Sequence, residues 1–133
     1  MKEVCLDTVG LIAVWDAADQ WHAAADAAYQ DLLRQGRPLV TTPLVLLECG
    51  NAAARRPYRL RVNVLRQTLA QAGLLIEPAA PEMEDAWAAY DRGEAGLAGI
   101  VDQASFIVMR RLGITDAFTN DRHFQAAGFT LLF

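Results

Sequence analysis

Ala117-Phe118-Thr119-Asn120-Asp121-Arg122-His123-Phe124 reads as a short apolar strand, a polar turn carrying a carboxylate, and the start of a helix. The chain opens on the same grammar: Val4-Cys5-Leu6 is a continuous apolar run, as expected of a strand buried on both faces, and Asp7 closes it. Between these two segments, strands are expected at Leu39-Val40-Thr41 and Leu74-Leu75-Ile76, with a last one at Thr130-Leu131-Leu132. Helices are expected from Gly10 to Trp15, Trp21 to Leu33, Pro43 to Ala54, Tyr58 to Gln71, Glu82 to Asp91, Val101 to Leu112 and Asp121 to Ala127. Gly36, Pro57 and Gly113 act as stop signals. Gly93, Gly96 and Gly99 read as a flexible connection. Strands alternating with helices require crossovers, so the expected architecture is a three-layer α/β/α sandwich around a mainly parallel sheet of four to five strands.

The 133 residues suit one domain, taken here as 1–133. A hydrophobic share of 53% with 21% charged residues excludes a disordered chain. No apolar run reaches the ~18 residues of a membrane span, and Met1-Lys2-Glu3-Val4 does not read as a signal peptide. Cys5 and Cys49 lie in apolar surroundings, which predicts reduced core thiols in a cytoplasmic protein. A net charge of -4 argues against binding nucleic acid through bulk charge. Five arginines nevertheless fall between positions 55 and 66, and of these Arg55, Arg56 and Arg59 are candidate RNA contacts, with a solvated helix face as the plain alternative.

The carboxylates carry the chemistry. Ligands of a parallel sheet bind at the carboxyl ends of its strands, where Asp7 and Asp121 are expected. Asp102 opens the apolar helix that faces this edge. Glu48 shares its helix face with Leu44, Val45 and Ala52, so a buried acid is expected there. Taken singly, Asp7 and Asp102 could be helix caps, Asp121 could belong to a turn, and Glu48 could pair with an arginine. Taken together, four converging carboxylates cannot all stay ionised without cations, and Mg2+ or Mn2+ suits a site of carboxylates and water. Such a site can hydrolyse a phosphate ester. Asp116, which precedes its strand, ranks below the others because the opposite sheet edge is expected for it.

The segments Asp7-Thr8, Thr41-Thr42-Pro43-Leu44-Val45-Leu46-Leu47-Glu48, Asp102-Gln103-Ala104-Ser105-Phe106 and Phe118 to Phe124, followed by Ala127-Gly128-Phe129, resemble the PIN domain in order and over nearly the whole chain. The resemblance is nearest to the small VapC-like members. It implies an RNA-cleaving enzyme dependent on Mg2+ or Mn2+ that leaves a 5′-phosphate, works as a homodimer and is held inactive by a cognate antitoxin. On this resemblance Asp7, Glu48, Asp102 and Asp121 are both the catalytic and the metal-holding residues, with Thr8, Thr119, Asn51 and, last, Asp116 in support. The chain departs from the pattern at Glu94 to Val101, where relatives often carry Asp-Lys-x-Trp-Ser-Leu-Thr, and at Gln103, where Cys is frequent. That departure is the one support for the alternative reading, a catalytically silent PIN-like module that binds RNA or protein, while the presence of all four acids keeps catalysis the favoured one.

Other chemistries fare worse. A phosphoacceptor domain needs a late Lys, and none follows Lys2; a haloacid-dehalogenase phosphatase needs an Asp where Val9 stands. Ser105, the only serine, has no Gly-x-Ser-x-Gly context, and the two Cys and two His lack zinc spacing. His123 reads as helix-start chemistry rather than a metal ligand, and Trp15, Trp21, Trp87, Phe106 and Phe124 as core or interface aromatics.

Overall fold

A computed structural model describes residues 2–133. Four parallel strands, β1 (Val4–Leu6), β2 (Leu39–Val40), β3 (Asp116–Phe118) and β4 (Thr130–Leu131), form a sheet in the order β2-β1-β3-β4. The helices are α1 (Thr8–Trp15), α2 (His22–Gln35), α3 (Pro43–Ala53), α4 (Arg59–Gln71), α5 (Ala80–Asp91), α6 (Glu94–Leu97), α7 (Ile100–Leu112) and α8 (Arg122–Ala126).

Side chains alternate across each strand, and both sheet faces are buried. Val4, Leu6, Leu39 and Phe118 join a core with Leu11, Ala25, Val45, Cys49, Val62 and Leu69, so α1–α4 cover that face. Cys5, Val40 and Ala117 point the other way and pack with Ala98, Phe106, Met109, Phe124 and Phe129. The outcome is the three-layer α/β/α sandwich that the sequence predicts. Both thiols are free and buried, and burial pushes Cys5 and Cys49 up, the latter to about 12. Among the described residues no helix is long and apolar enough to cross a membrane.

The expected strand at Leu74-Leu75-Ile76 is corrected. It touches the sheet through one bridge, Thr41 to Leu75, with Thr41 N donating to Leu74 O at 3.3 Å and Ile76 N to Thr41 O at 2.8 Å. β2 ends at Val40 and α3 begins at Pro43, so the ladder runs out of partner residues. Thr42 caps α3 by accepting from Val45 N at 3.3 Å, and Pro43 occupies the first turn, where its missing N–H costs nothing.

Gly10 lets α1 press onto β3: a Cβ there would lie 2.1 Å from the Phe118 carbonyl oxygen. That close approach brings the start of α1 to the carboxyl end of β3. The glycine-rich stretch takes a defined, hydrogen-bonded shape. Residues 93–97 form a tight turn in which Ala95 (φ 56°) and Leu97 (φ 64°) take left-handed backbone, at a cost of about 1 kcal/mol or more each.

Candidate active site

β1 delivers Asp7 to the carboxyl edge of the sheet, where it is 2% exposed. It occupies the N-cap position of α1 but makes no capping bond through its side chain. Instead Asp7 Oδ2 accepts from Thr119 Oγ1 at 2.8 Å, and the same Thr119 oxygen accepts from Asp121 N at 3.0 Å. One buried hydroxyl thus ties together the two acids that end β1 and β3. Asp121 does serve as a cap, accepting from His123 N at 2.9 Å through Oδ1, which leaves its second oxygen without a protein donor among the described residues.

Asp102 is not a cap, since Gly99 holds that position in α7. It is half-buried in the first turn of the helix, beside Asp7 and Asp121. Burial is the main cause that raises its carboxyl from the ordinary 3.8 to about 7, with the charges of Asp7, Asp121 and Glu48 adding to it and His123 opposing. Asp7 is pushed up to about 6, first by burial and then by Asp121 and Glu48, against the hydrogen bonds from Thr119 and Thr8. The four acids therefore feel one another.

The expectation of a buried Glu48 is corrected. α3 buries Val45, Leu46, Cys49 and Ala53, and Glu48 falls outside that stripe, exposed. No arginine pairs with it among the described residues; Glu48 Oε1 accepts from Thr8 Oγ1 at 2.6 Å, which holds it over the start of α1. Asp116 is corrected as a supporting residue. It opens β3 in register with Val4 and Thr130, at the far edge of the sheet, where it pairs with Arg37 at 2.7 Å. Asn51 is exposed and makes no side-chain hydrogen bond among the described residues. Arg55, Arg56 and Arg59 are exposed around the α3–α4 junction, and Arg56 and Arg59 line depressions that contain none of the four acids.

Two residues near the acids are more engaged than the sequence suggested. Gln103, 2% exposed, donates through Nε2 to Glu94 O at 2.9 Å and Ala98 O at 3.4 Å, and His123 Nδ1 lies 3.0 Å from Ala95 O. Together they lock the left-handed turn against α7 and α8. The signal was the replacement of a frequent Cys by Gln103, whose partners are backbone carbonyls that no side-chain pattern reveals. Of the aromatics, Phe106 and Phe124 are core residues, Trp15 packs on Tyr58, and Trp21 and Trp87 are about half exposed.

The chemistry of the donor set decides what the site can hold. Asp7, Glu48, Asp102 and Asp121 offer hard oxygen donors and form no salt bridge among the described residues, and burial first, then their mutual charge, raises the pKa of Asp7 and Asp102. Among the described residues no three acidic, histidine or cysteine side chains stand close enough together to hold a metal ion as placed. Hard oxygen donors of this kind suit Mg2+, which keeps several waters and takes only one or two carboxylates directly.

The chain is similar over 96% of its length to 96% of VapC20 from Mycobacterium tuberculosis, described as a Sarcin-Ricin loop cleaving toxin, at 27% identity and a TM-score of 0.77. It shares its fold with FitAcB from Neisseria gonorrhoeae, at 18% identity and a TM-score of 0.63, over 98% of this chain and 96% of the other. No curated protein sequence matches it. The family model described as the PIN domain matches residues 4–130, a span that takes in all four carboxylates, the first three strands and the start of β4, and on that ground the chain belongs to the PIN-domain family.

Proposed function

We propose that this chain is an endoribonuclease dependent on Mg2+ or Mn2+, the toxin of a toxin–antitoxin pair, with Asp7, Glu48, Asp102 and Asp121 as its metal-holding and catalytic residues. The observation that carries the reading is a group of four carboxylates at the carboxyl edge of the sheet with no salt-bridge partner among the described residues, in a chain similar to an RNA-cleaving toxin. Bound there, a divalent ion supplies the Lewis acidity that phosphodiester hydrolysis needs near neutral pH.

The chain's own groups fix the geometry. Thr119 orients Asp7 by donating to it and orients the Asp121 backbone by accepting from it. Thr8 does the same for Glu48, whose exposed position would otherwise leave the carboxylate free to swing. The α7 helix carries Asp102 in on a rigid element, next to the turn that Gln103 and His123 hold. Exposed Leu47, Leu60 and Val64 on α3 and α4, and Trp87 with Tyr90 on α5, are apolar surface that an antitoxin and a second copy of the chain would bury.

The test is cleavage of structured RNA, including a Sarcin–Ricin loop hairpin, by the purified protein with and without Mg2+ or Mn2+. The reading predicts metal-dependent cleavage that Asp102→Asn abolishes. RNA binding without turnover at any metal concentration would overturn it in favour of the silent module.

A further inference from the structure

Around the chain neighbours of Asp121 lies a second feature, lined by none of the four carboxylates. Trp21, Asn120, Arg122, Gln125, Leu131 and Phe133 line an open cavity of about 510 Å³. Ligand cavities commonly span ~300–1,000 Å³, so one nucleotide fits. Asn120 and Arg122 flank Asp121 in the chain, so this cavity begins where the metal-holding edge ends.

Its parts suit an unpaired ribonucleotide. Trp21 is 48% exposed, which leaves much of an indole uncovered. It does not hang on a loose loop: Trp21 N donates to Asp19 Oδ1 at 2.8 Å, Ala18 N donates to Asp16 Oδ1 at 2.9 Å, and His22 Nδ1 lies 2.8 Å from Ala13 O. The Trp is thus presented on a turn already ordered. The apolar wall is anchored as well, with the Phe133 ring packed at a tilt of 50° against the buried Phe118 at 5.1 Å between ring centroids. Arg122 makes no salt bridge and no side-chain hydrogen bond among the described residues, so its guanidinium is available to a phosphate. Asn120 and Gln125 supply amide donors and acceptors of the kind that read base edges.

We propose that this cavity is a nucleotide subsite of the nuclease, in which Trp21 stacks on an unpaired base adjacent to the cleaved bond and Arg122 binds its phosphate. The proposal rests on the RNA-cleaving reading above. It assigns Trp21 and Arg122 to substrate binding and leaves the carboxylates to the chemistry. An indole and a guanidinium lining one cavity, with Arg122 next in the chain to Asp121, favour a nucleic acid strand over a peptide.

Binding is tested apart from cleavage. A single-stranded RNA hexamer is titrated into the Asp102→Asn protein, with and without Trp21→Ala, Trp21→Phe or Arg122→Gln, and tryptophan fluorescence and anisotropy are followed. The hexamer should quench a signal that disappears in Trp21→Phe. Stacking is worth ~1–3 kcal/mol per base, so Trp21→Ala should weaken binding roughly 5- to 150-fold, with Trp21→Phe in between. Arg122→Gln should weaken it and reduce its salt dependence. Thermal melts should stay unchanged, because Trp21 and Arg122 are exposed. Unchanged hexamer affinity in both Trp21→Ala and Arg122→Gln would overturn the subsite, even if the wild-type protein cleaves RNA. So would a change confined to the oligomeric state, which would make the face a contact between proteins. If the wild-type protein fails to cleave but Trp21-dependent binding is present, the subsite stands and the catalytic reading falls.

Discussion

At the start of β3, Asp116 pairs with Arg37 at 2.7 Å, both side chains largely buried; just past the other end of that strand, Asp121 meets Asp7, Asp102 and Glu48 with no such partner among the described residues. The two edges of one sheet treat the same chemical group in opposite ways. A carboxylate that serves the fold is neutralised, because an uncompensated buried charge is costly. Carboxylates left to repel one another lower stability, and that loss makes sense only if something else supplies the positive charge. The contrast separates acids of the fold from acids of the site better than position in the sequence does.

The sharpest way to break the contrast is to neutralise one acid at each edge. Asp102→Asn should lower metal-dependent RNA cleavage by at least about 10³-fold, as loss of a group central to charge stabilisation does. The same substitution should raise the metal-free stability by about 1–2 kcal/mol, because it removes one of the mutually repelling charges. Asp116→Asn should do the reverse: it strands Arg37 and should cost roughly 1–3 kcal/mol in denaturant melts, with cleavage by the folded fraction retained.

Changing pH sharpens the contrast next. Asp7 and Asp102 ionise at about 6 and about 7 in the fold, against an ordinary 3.8. Between these values the native protein holds protons that the unfolded chain has released. The stability of the metal-free protein therefore falls as pH rises from about 4 to 8, by on the order of 2–4 kcal/mol. Mg2+ or Mn2+ should restore it at pH 8 and do little at pH 5, where protonated acids bind metal poorly. Thermal melts at the two pH values, with and without metal, check this directly.

Thr119→Val keeps the shape but removes the hydroxyl that serves Asp7 and Asp121, and should reduce cleavage about 10- to 100-fold with all four acids in place. The smallest effect is expected at the surface pair Arg111–Glu82, where Arg111→Ala should cost under about 1 kcal/mol and leave cleavage unchanged.

Much of this was legible in the sequence because it depends on short-range pattern. Val4-Cys5-Leu6 and Ala117-Phe118 are apolar on both faces, and the only place for such strands is the middle of a covered sheet. Asp7 follows the first directly and Asp121 follows the second after Thr119 and Asn120, so their position at the carboxyl edge came with the strands. What could not be read depends on neighbours distant in the chain. Leu74-Leu75-Ile76 has strand composition, yet β2 is too short to pair with it beyond one bridge. Glu48 has apolar neighbours at helical spacing, yet the buried stripe of α3 passes to one side of it. The turn at 93–97 carries three glycines' worth of freedom within reach, and it is rigid because Gln103 and His123 bind its carbonyls from other elements. Gly10 reads as an ordinary helix residue, and its need to be glycine comes from the Phe118 carbonyl more than a hundred residues later.

The most direct test of the unpaired acids is the binding of Mn2+ at pH 7.5, followed by the loss of the free-ion paramagnetic resonance signal. The account predicts saturable binding of one or two ions that Asp102→Asn weakens strongly and Asp116→Asn leaves intact. Equal Mn2+ uptake by wild type and Asp102→Asn, or none by either, would contradict it.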